Sequence, residues 1–565
     1  MLDTVRRRCQ AMFRRRDPQS MLFESSNLLP PAKRARLAKS WAQAYRDLAL
    51  PLIKEELFAP LFDPGNGRPN APVQVTFSVL ILKEVFDLTD DDALDQLEYS
   101  LQWQHALRLQ PEEAHLCQKT LHNIRVRLLE HDAARLAFES VTAGIIKALG
   151  LKVSRQRLDS THIISNIKLL TRLGLFCETL RVALVALRRA HPRLAARLPG
   201  ELYARYVRDD ETGTRFRDAK SEEAHRRLDV AAKDVYQVLM LCKGKSAAKL
   251  EEIALLQRLF DDQCEVVEDE QKPGQNDEDA GQGGTPVVVK EPKTIASNSL
   301  QSPHDPDTTY SGHKGKGYEV QIAETCHEDN EVEIITHVEV TPSCEGDPGM
   351  TLPILADLVE RDLQPEELVA DTSYGSARNA VEAAKIGTEL VSPVGGSAEA
   401  EPEAVEAKDR PLTGADFKID VRLESPAVCP AGVQASSQRY VGKRLNTVEL
   451  SFNGANCTTC RLASRCPARI RGREEEAVVR VNLEEANLQQ RRRAEASGEF
   501  RPRYRIRAGV EGTNSELKRR HGLAKLRVRG EERVGLAVYF KALACNVKRM
   551  LQALLRRGQP ALAGA

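Results

Sequence analysis

No stretch of this 565-residue chain approaches the roughly 20 consecutive apolar residues that span a bilayer, which excludes a transmembrane helix. No secretory signal is visible in the sequence either. Arg6-Arg7-Arg8 and Arg14-Arg15-Arg16 are followed by no apolar core segment, so residues 1–20 read as a basic tail. Clustered cysteines are few. Most of the 12 stand alone, which suits a reducing cytosol and gives a cytoplasmic expectation. Net charge is nearly absent too: 82 Lys and Arg face 81 Asp and Glu. Total charge therefore points to no partner, but its distribution does. Between Asp261 and Ala280 nine acids face one base, Lys272, while basic charge collects at both ends of the chain.

The length exceeds one compact core and implies two to four domains. Residues 21–149 read as helical. Val75 to Phe86 fits one buried helix, and Asp91 or Asp92 caps another that starts near Ala93 and carries Leu94, Leu97, Leu101, Trp103 and Leu107 on one face. Several short helices, some basic, fit a DNA-binding domain and fit plain helical packing equally. Residues 150–165 supply a first strand, whose alternation from Lys152 to Leu158 ends at Asp159. A helical insertion at 166–262 and an acidic linker at 263–303 follow, the latter expected to be disordered from about Glu265 to Ser302. Residues 304–395 alternate strands and helices, with a short apolar strand, Glu367 to Ala370, ending at Asp371. Residues 396–500 form a second insertion and 501–557 the closing helices. The order of elements is mixed α/β.

Near the C-terminus, Tyr504, Arg507, Glu511 and Lys518 have the spacing Y-x2-R-x3-E-x6-K. At about 100° per residue, one continuous helix would carry all four on a stripe roughly 60° wide. Between Arg501 and Gly530 lie ten bases, and the acids are only Glu511 and Glu516. Glu516 is expected about 140° around the helix from Glu511. A helix that offers one carboxylate amid clustered cations fits a metal ion beside a polyanion. Asp159 and Asp371, each expected at a strand end, project where open sheets place their ligands. Three such carboxylates suit one or two Mg²⁺ ions, which take oxygen ligands and assist in-line phosphoryl displacement. Taken singly, each Asp reads as a strand-end cap. Taken with the stripe, the catalytic reading prevails.

Asp159-Ser160-Thr161, Ala370-Asp371-Thr372-Ser373-Tyr374-Gly375 and the Tyr504/Arg507/Glu511/Lys518 set resemble the three motifs of bacterial insertion-sequence DDE transposases, in the group with a YREK signature. The resemblance extends to the helical region from about Leu22 to Leu129, to His304-Asp305-Pro306-Asp307 and to Gly312-His313-Lys314-Gly315. It implies an RNase H-like core with a mixed five-stranded sheet, an all-α N-terminal domain and two insertions. It implies that Asp159, Asp371 and Glu511 bind two Mg²⁺ (or Mn²⁺) ions. Tyr504, Arg507 and Lys518, with Arg519 and Arg520 beside them, would contact double-stranded DNA at the terminal inverted repeats, and target DNA would be the second substrate. The implied reaction is cleavage at the element ends followed by strand transfer. A homodimer in the synaptic complex and association with the nucleoid follow from the same resemblance. His313 and Lys314 lie in a Gly-rich turn that suits either a DNA backbone contact or a plain hairpin. His162 reads as packed or as support for a metal ligand.

Cys429, Cys457, Cys460 and Cys466 have the spacing of a structural zinc site, expected to brace a small loop-rich insert. Free thiols are the alternative. Two other functions remain open from sequence alone: a metal-dependent nuclease without strand transfer, and a DNA-binding protein with a decayed core. The intact acidic triad argues against the second.

Overall fold

The structure, a computed structural model, describes residues 11–13, 15, 25–63, 68–213, 215–266, 287–395, 410–442, 446–472 and 475–558. Most of the N-terminal basic tail and the centre of the acidic linker lie outside them.

The N-terminal region is helical. Its longest helices are α1 (Val73–Val85), α2 (Gln118–Glu130) and α3 (Ala133–Leu149). α1 is apolar all round and is buried from Val75 to Leu82, as a central helix must be. The helix after it, Asp90–Tyr99, is capped by Thr89 rather than by Asp91 or Asp92. The Thr89 hydroxyl accepts from the Asp92 N–H, and the Asp92 carboxylate accepts in return from the Thr89 backbone. Ser100 ends this helix, so the expected apolar face divides between it and Leu101–Ala106.

Strand β1 (Arg155–Ile163) comes next, then the helical insertion with α4 (Arg172–Ala190), α5 (Ser221–Cys242) and α6 (Glu251–Gln263). Leu180, Leu184, Val235, Leu256 and Leu259 give the insertion its own core. Disorder up to Ser302 was expected, and the structure corrects this. Cys264–Val266 pairs antiparallel with Val287–Val289, and Arg172 donates to the Lys290 carbonyl at 2.6 Å. Leu300 and Val287 bury against the helical insertion, so their apolar side chains outweigh the polar composition around them.

The central sheet holds β1, β2 (Gly315–Thr325), β3 (Ile335–Pro342), β4 (Glu367–Ala370) and β5 (Glu389–Val391), with helices α7 (Thr351–Glu360) and α8 (Ala377–Lys385) joining the later strands. Its order is β3-β2-β1-β4-β5. β2 runs antiparallel to both β1 and β3, while β1, β4 and β5 are parallel to one another. A short strand, Thr309–Ser311, adds to the start of β2. This mixed sheet with flanking helices is an RNase H-like core.

The second insertion is not loop-rich. β6 (Ser437–Val441), β7 (Thr447–Asn453), β8 (Arg469–Arg471) and β9 (Glu476–Asn482) form an antiparallel sheet in the order β6-β7-β9-β8. Phe417, Phe452, Val448 and Val479 fill its core. α9 (Leu483–Ser497) leads back, and α10 (Gly509–Arg520) and α11 (Glu531–Arg557) close the chain.

α11 packs on α1, α3 and β3 at once. Phe540 meets Phe77 of α1 with ring centroids 5.1 Å apart. The buried Asn546 side chain donates to the Ile335 carbonyl and accepts from the Ile335 N–H at 2.8 Å each, so it acts as one more rung on β3. The N-terminal helices and the central sheet thus share a single core. Among the described residues, no helix is long and apolar enough to cross a membrane.

Candidate active site

β1 pairs with β4 in parallel, and the last partners are Leu158 and Ala370. Asp159 and Asp371 are the next residues on these adjacent strands, where neighbouring backbones lie about 4.8 Å apart. Asp159 is not at the end of its own strand, as alternation suggested. β1 continues to Ile163 because β2 keeps pairing with it as far as Ile163 and Tyr318. What ends at Asp159 is the pairing with β4.

Glu511 arrives from the first turn of α10. The run from Tyr504 to Lys518 is not one regular helix. An α-helical turn, Phe500–Tyr504, passes into a 3-10 turn, Arg505–Ala508, before α10 begins. Two arginines of β1 account for the break. Arg155 donates to the Arg503 carbonyl at 2.9 Å and Arg157 to the Ile506 carbonyl at 2.9 Å, so strand side chains take up acceptors in this turn. Despite the break, Arg507 reaches all three acids. Its guanidinium lies 3.0 Å from Asp159, 3.9 Å from Asp371 and 3.8 Å from Glu511. Three carboxylates from remote parts of the chain therefore surround one cation.

Asp159 is nearly buried, and that burial raises its pKa above the usual aspartate value, against the pull of Arg507. Its second oxygen accepts from the Asn514 amide at 3.1 Å. Two buried polar atoms here have no hydrogen-bond partner among the described residues: Asn514 Oδ1 and Arg507 Nε. Buried acceptors are normally satisfied, and an amide oxygen beside a carboxylate suits a hard divalent cation. The donor set suits a hard divalent cation, but among the described residues the three carboxylates do not all bring an oxygen within 4.8 Å of one another. Asp371 accepts from the Ser373 N–H at 2.8 Å, and the Ser373 hydroxyl also reaches Asp347 at 3.2 Å.

The other residues singled out in the sequence form the surroundings. Tyr504 stacks on Phe500 with centroids 5.0 Å apart, and burial raises its pKa. Lys518 is half-buried, which lowers its pKa, with Glu319, Lys314 and Asp159 among its charged neighbours. Arg519, Arg520 and His313 are exposed. Lys314 Nζ donates to Glu319 at 2.9 Å and to Ser160 Oγ at 3.1 Å. His162 sits 3.1 Å from the same Glu319, so it is packed beside the site rather than aimed at it. Arg503 is taken up by Glu367 and Glu389. His304-Asp305-Pro306-Asp307 is a joint: Asp305 is fully buried and accepts from Tyr318 and from the Gly530 N–H, and Asp307 accepts from Glu531 at the start of α11.

Sequence reasoning missed Asn514, Glu319 and Arg157. Asn514 stands three residues after Glu511, a spacing that shares a helix face, so a signal existed. Arg157 had none. It donates to the fully buried Glu324 at 2.7 Å, and Glu324 also accepts from Thr513 of α10 at 2.6 Å and from Arg549 of α11 at 3.1 Å. These contacts fasten the helix bearing Glu511 to the strand bearing Asp159. A Cβ on Gly509 would overlap the Arg157 guanidinium, so this approach needs glycine.

In the second insertion the four cysteines lie in turns. Cys429 and Gly432 close one, with Gly432 at φ 85°, and the Leu462 N–H points at Cys460 Sγ at 3.4 Å. Burial raises the Cys457 pKa, and Cys466, Cys429 and Cys460 raise it further. That mutual repulsion is what a bound cation relieves. Among the described residues, however, no three of these sulfurs fall within 4.8 Å of one another.

Two family models match the chain. A transposase DDE domain matches residues 428–551, which includes most of the second insertion, Glu511 and Lys518. A transposase domain (DUF772) matches residues 43–127, within the N-terminal helices. No curated protein and no solved structure matches. With an RNase H-like sheet between these two matches, the findings support an insertion-sequence DDE transposase.

Proposed function

We propose that this transposase cuts DNA at the ends of a mobile element and joins the freed strand to a target duplex. The observation that carries this reading is the convergence of Asp159, Asp371 and Glu511 on Arg507. The three carboxylates, with Asn514 Oδ1 beside them, would hold Mg²⁺ or Mn²⁺. Ions held there would supply activation of the attacking oxygen and stabilisation of the leaving oxygen in an in-line displacement. The residues of the chain do the rest. Arg507 balances the acids until a phosphate competes for its planar fork. Tyr504 and Lys518 flank the acids, where they would grip the phosphates next to the scissile bond. Arg519, Arg520, His313 and Lys314 extend the cationic surface along the duplex, and bringing two DNA ends together calls for a second copy of the chain.

The test is an assay with labelled element ends, a target plasmid and Mg²⁺. Joined product supports the proposal. Cleavage without joining would assign the chain to the nucleases instead. For Lys518→Ala, end binding weakens across all sequences, and the slope of log K against log salt falls by about one, as for one lost phosphate contact. An unchanged slope in a binding titration would remove Lys518 from the interface.

We also propose that Cys429, Cys457, Cys460 and Cys466 bind one structural zinc ion. Metal analysis of the purified protein should show this zinc, and Cys460→Ser should lose it. Equal zinc content in the two proteins would dismiss the site.

A further inference from the structure

Glu516 faces away from Glu511, as its position on the helix requires, and points toward α11. There Glu516, His521 and Cys545 each place one ligand atom within 4.8 Å of the other two. His521 and Cys545 are fully buried. The His521 Nδ1 is engaged with the Glu84 carbonyl at 3.1 Å, which makes Nδ1 the protonated nitrogen. Nε2 then carries the lone pair, and it is buried with no hydrogen-bond partner among the described residues. Arg549 donates twice to Glu516 Oε2, at 3.2 and 3.1 Å, which leaves Oε1 for another partner. Two donors are thus each held from behind by a second contact, an arrangement typical of metal ligands.

We infer that Glu516 Oε1, His521 Nε2 and Cys545 Sγ form a binding site for a zinc-like divalent ion that clamps α10 to α11. A nitrogen, an oxygen and a sulfur suit a borderline-soft ion in tetrahedral geometry, with water in the fourth position. Bonds of about 2.0–2.3 Å place such donors roughly 3.3–3.8 Å apart, inside the 4.8 Å limit that the three atoms meet. One thiolate and one carboxylate neutralise the ion, and the Cys545 proton leaves to solvent. The nearby cations are already engaged: Arg549 with Glu324 and Glu516, and Lys541 with Glu84 at 2.7 Å. Lys548 stands 4.0 Å from Glu516 Oε1, at the limit of an ion pair. The ordinary alternative is a Cys545 thiol that donates to Glu516 and binds nothing.

The test compares the full-length protein with Cys545→Ser and Glu516→Gln after removal of loosely held metal. Metal analysis should find one zinc per chain fewer in Cys545→Ser than in the unaltered protein, whatever the four cysteines of the second insertion hold. Glu516→Gln, which is partly exposed and less liable to unfold, should release this zinc to a competing chelator about tenfold more readily. Cobalt(II) added to metal-free protein should give a thiolate charge-transfer band that weakens in Cys545→Ser. Equal zinc content in Cys545→Ser and the unaltered protein overturns the inference, as does identical release from Glu516→Gln.

Discussion

Asp159→Asn, Asp371→Asn and Glu511→Gln each lower strand cleavage by on the order of 10²–10³-fold or more, while element ends are still bound. Each change keeps the shape of the side chain and removes one negative charge where cations must gather. The loss follows from the geometry: three acids share one guanidinium, so no single acid is spare. Binding persists because phosphate affinity rests on Lys518, Arg519, Arg520 and their neighbours. Removing one acid relieves repulsion toward DNA, so binding holds steady or tightens slightly. A gel-shift titration alongside a cleavage time course separates the two quantities. Near-normal cleavage by any one of the three variants sinks the proposed triad.

Arg157→Met destabilises the fold by about 3 kcal/mol, the low end for breaking a buried ion pair. Glu324 is fully buried, and in this variant it keeps Arg549 and Thr513 but loses its side-chain ion pair to β1. The Ile506 carbonyl loses its donor at the same time. The 3-10 turn before α10 then has less to hold it, so apparent metal affinity falls along with stability. Urea denaturation measures the first effect and metal titration the second. A loss under about 1 kcal/mol would show that the turn is held by other means.

Asp371 was legible in the sequence because Glu367 to Ala370 is a short apolar run with an acid directly after it, and the structure ends the strand there. The limit of β1 was less legible. Asp159-Ser160-Thr161-His162 has polar side chains on both faces, and its strand state comes from pairing with a partner more than 150 residues away. The stripe from Tyr504 to Lys518 brought the right residues together, but on a broken helix, because the groups that break it belong to β1. Distant pairings such as Arg157 with Glu324 leave no local pattern. Neither does the order within residues 287–302, where a few apolar side chains find a core that composition does not reveal.

Among the described residues α11 is the last element, yet it covers α1 and α3, which lie far upstream of it. Without it, Phe77 on α1, Phe138 on α3 and Ile335 on β3 would all be laid bare. A chain truncated before Glu531 is therefore not a catalytic core minus a tail. It is a molecule with one wall missing, prone to stick to its own copies, in which α1 and α3 can settle only after α11 has been made.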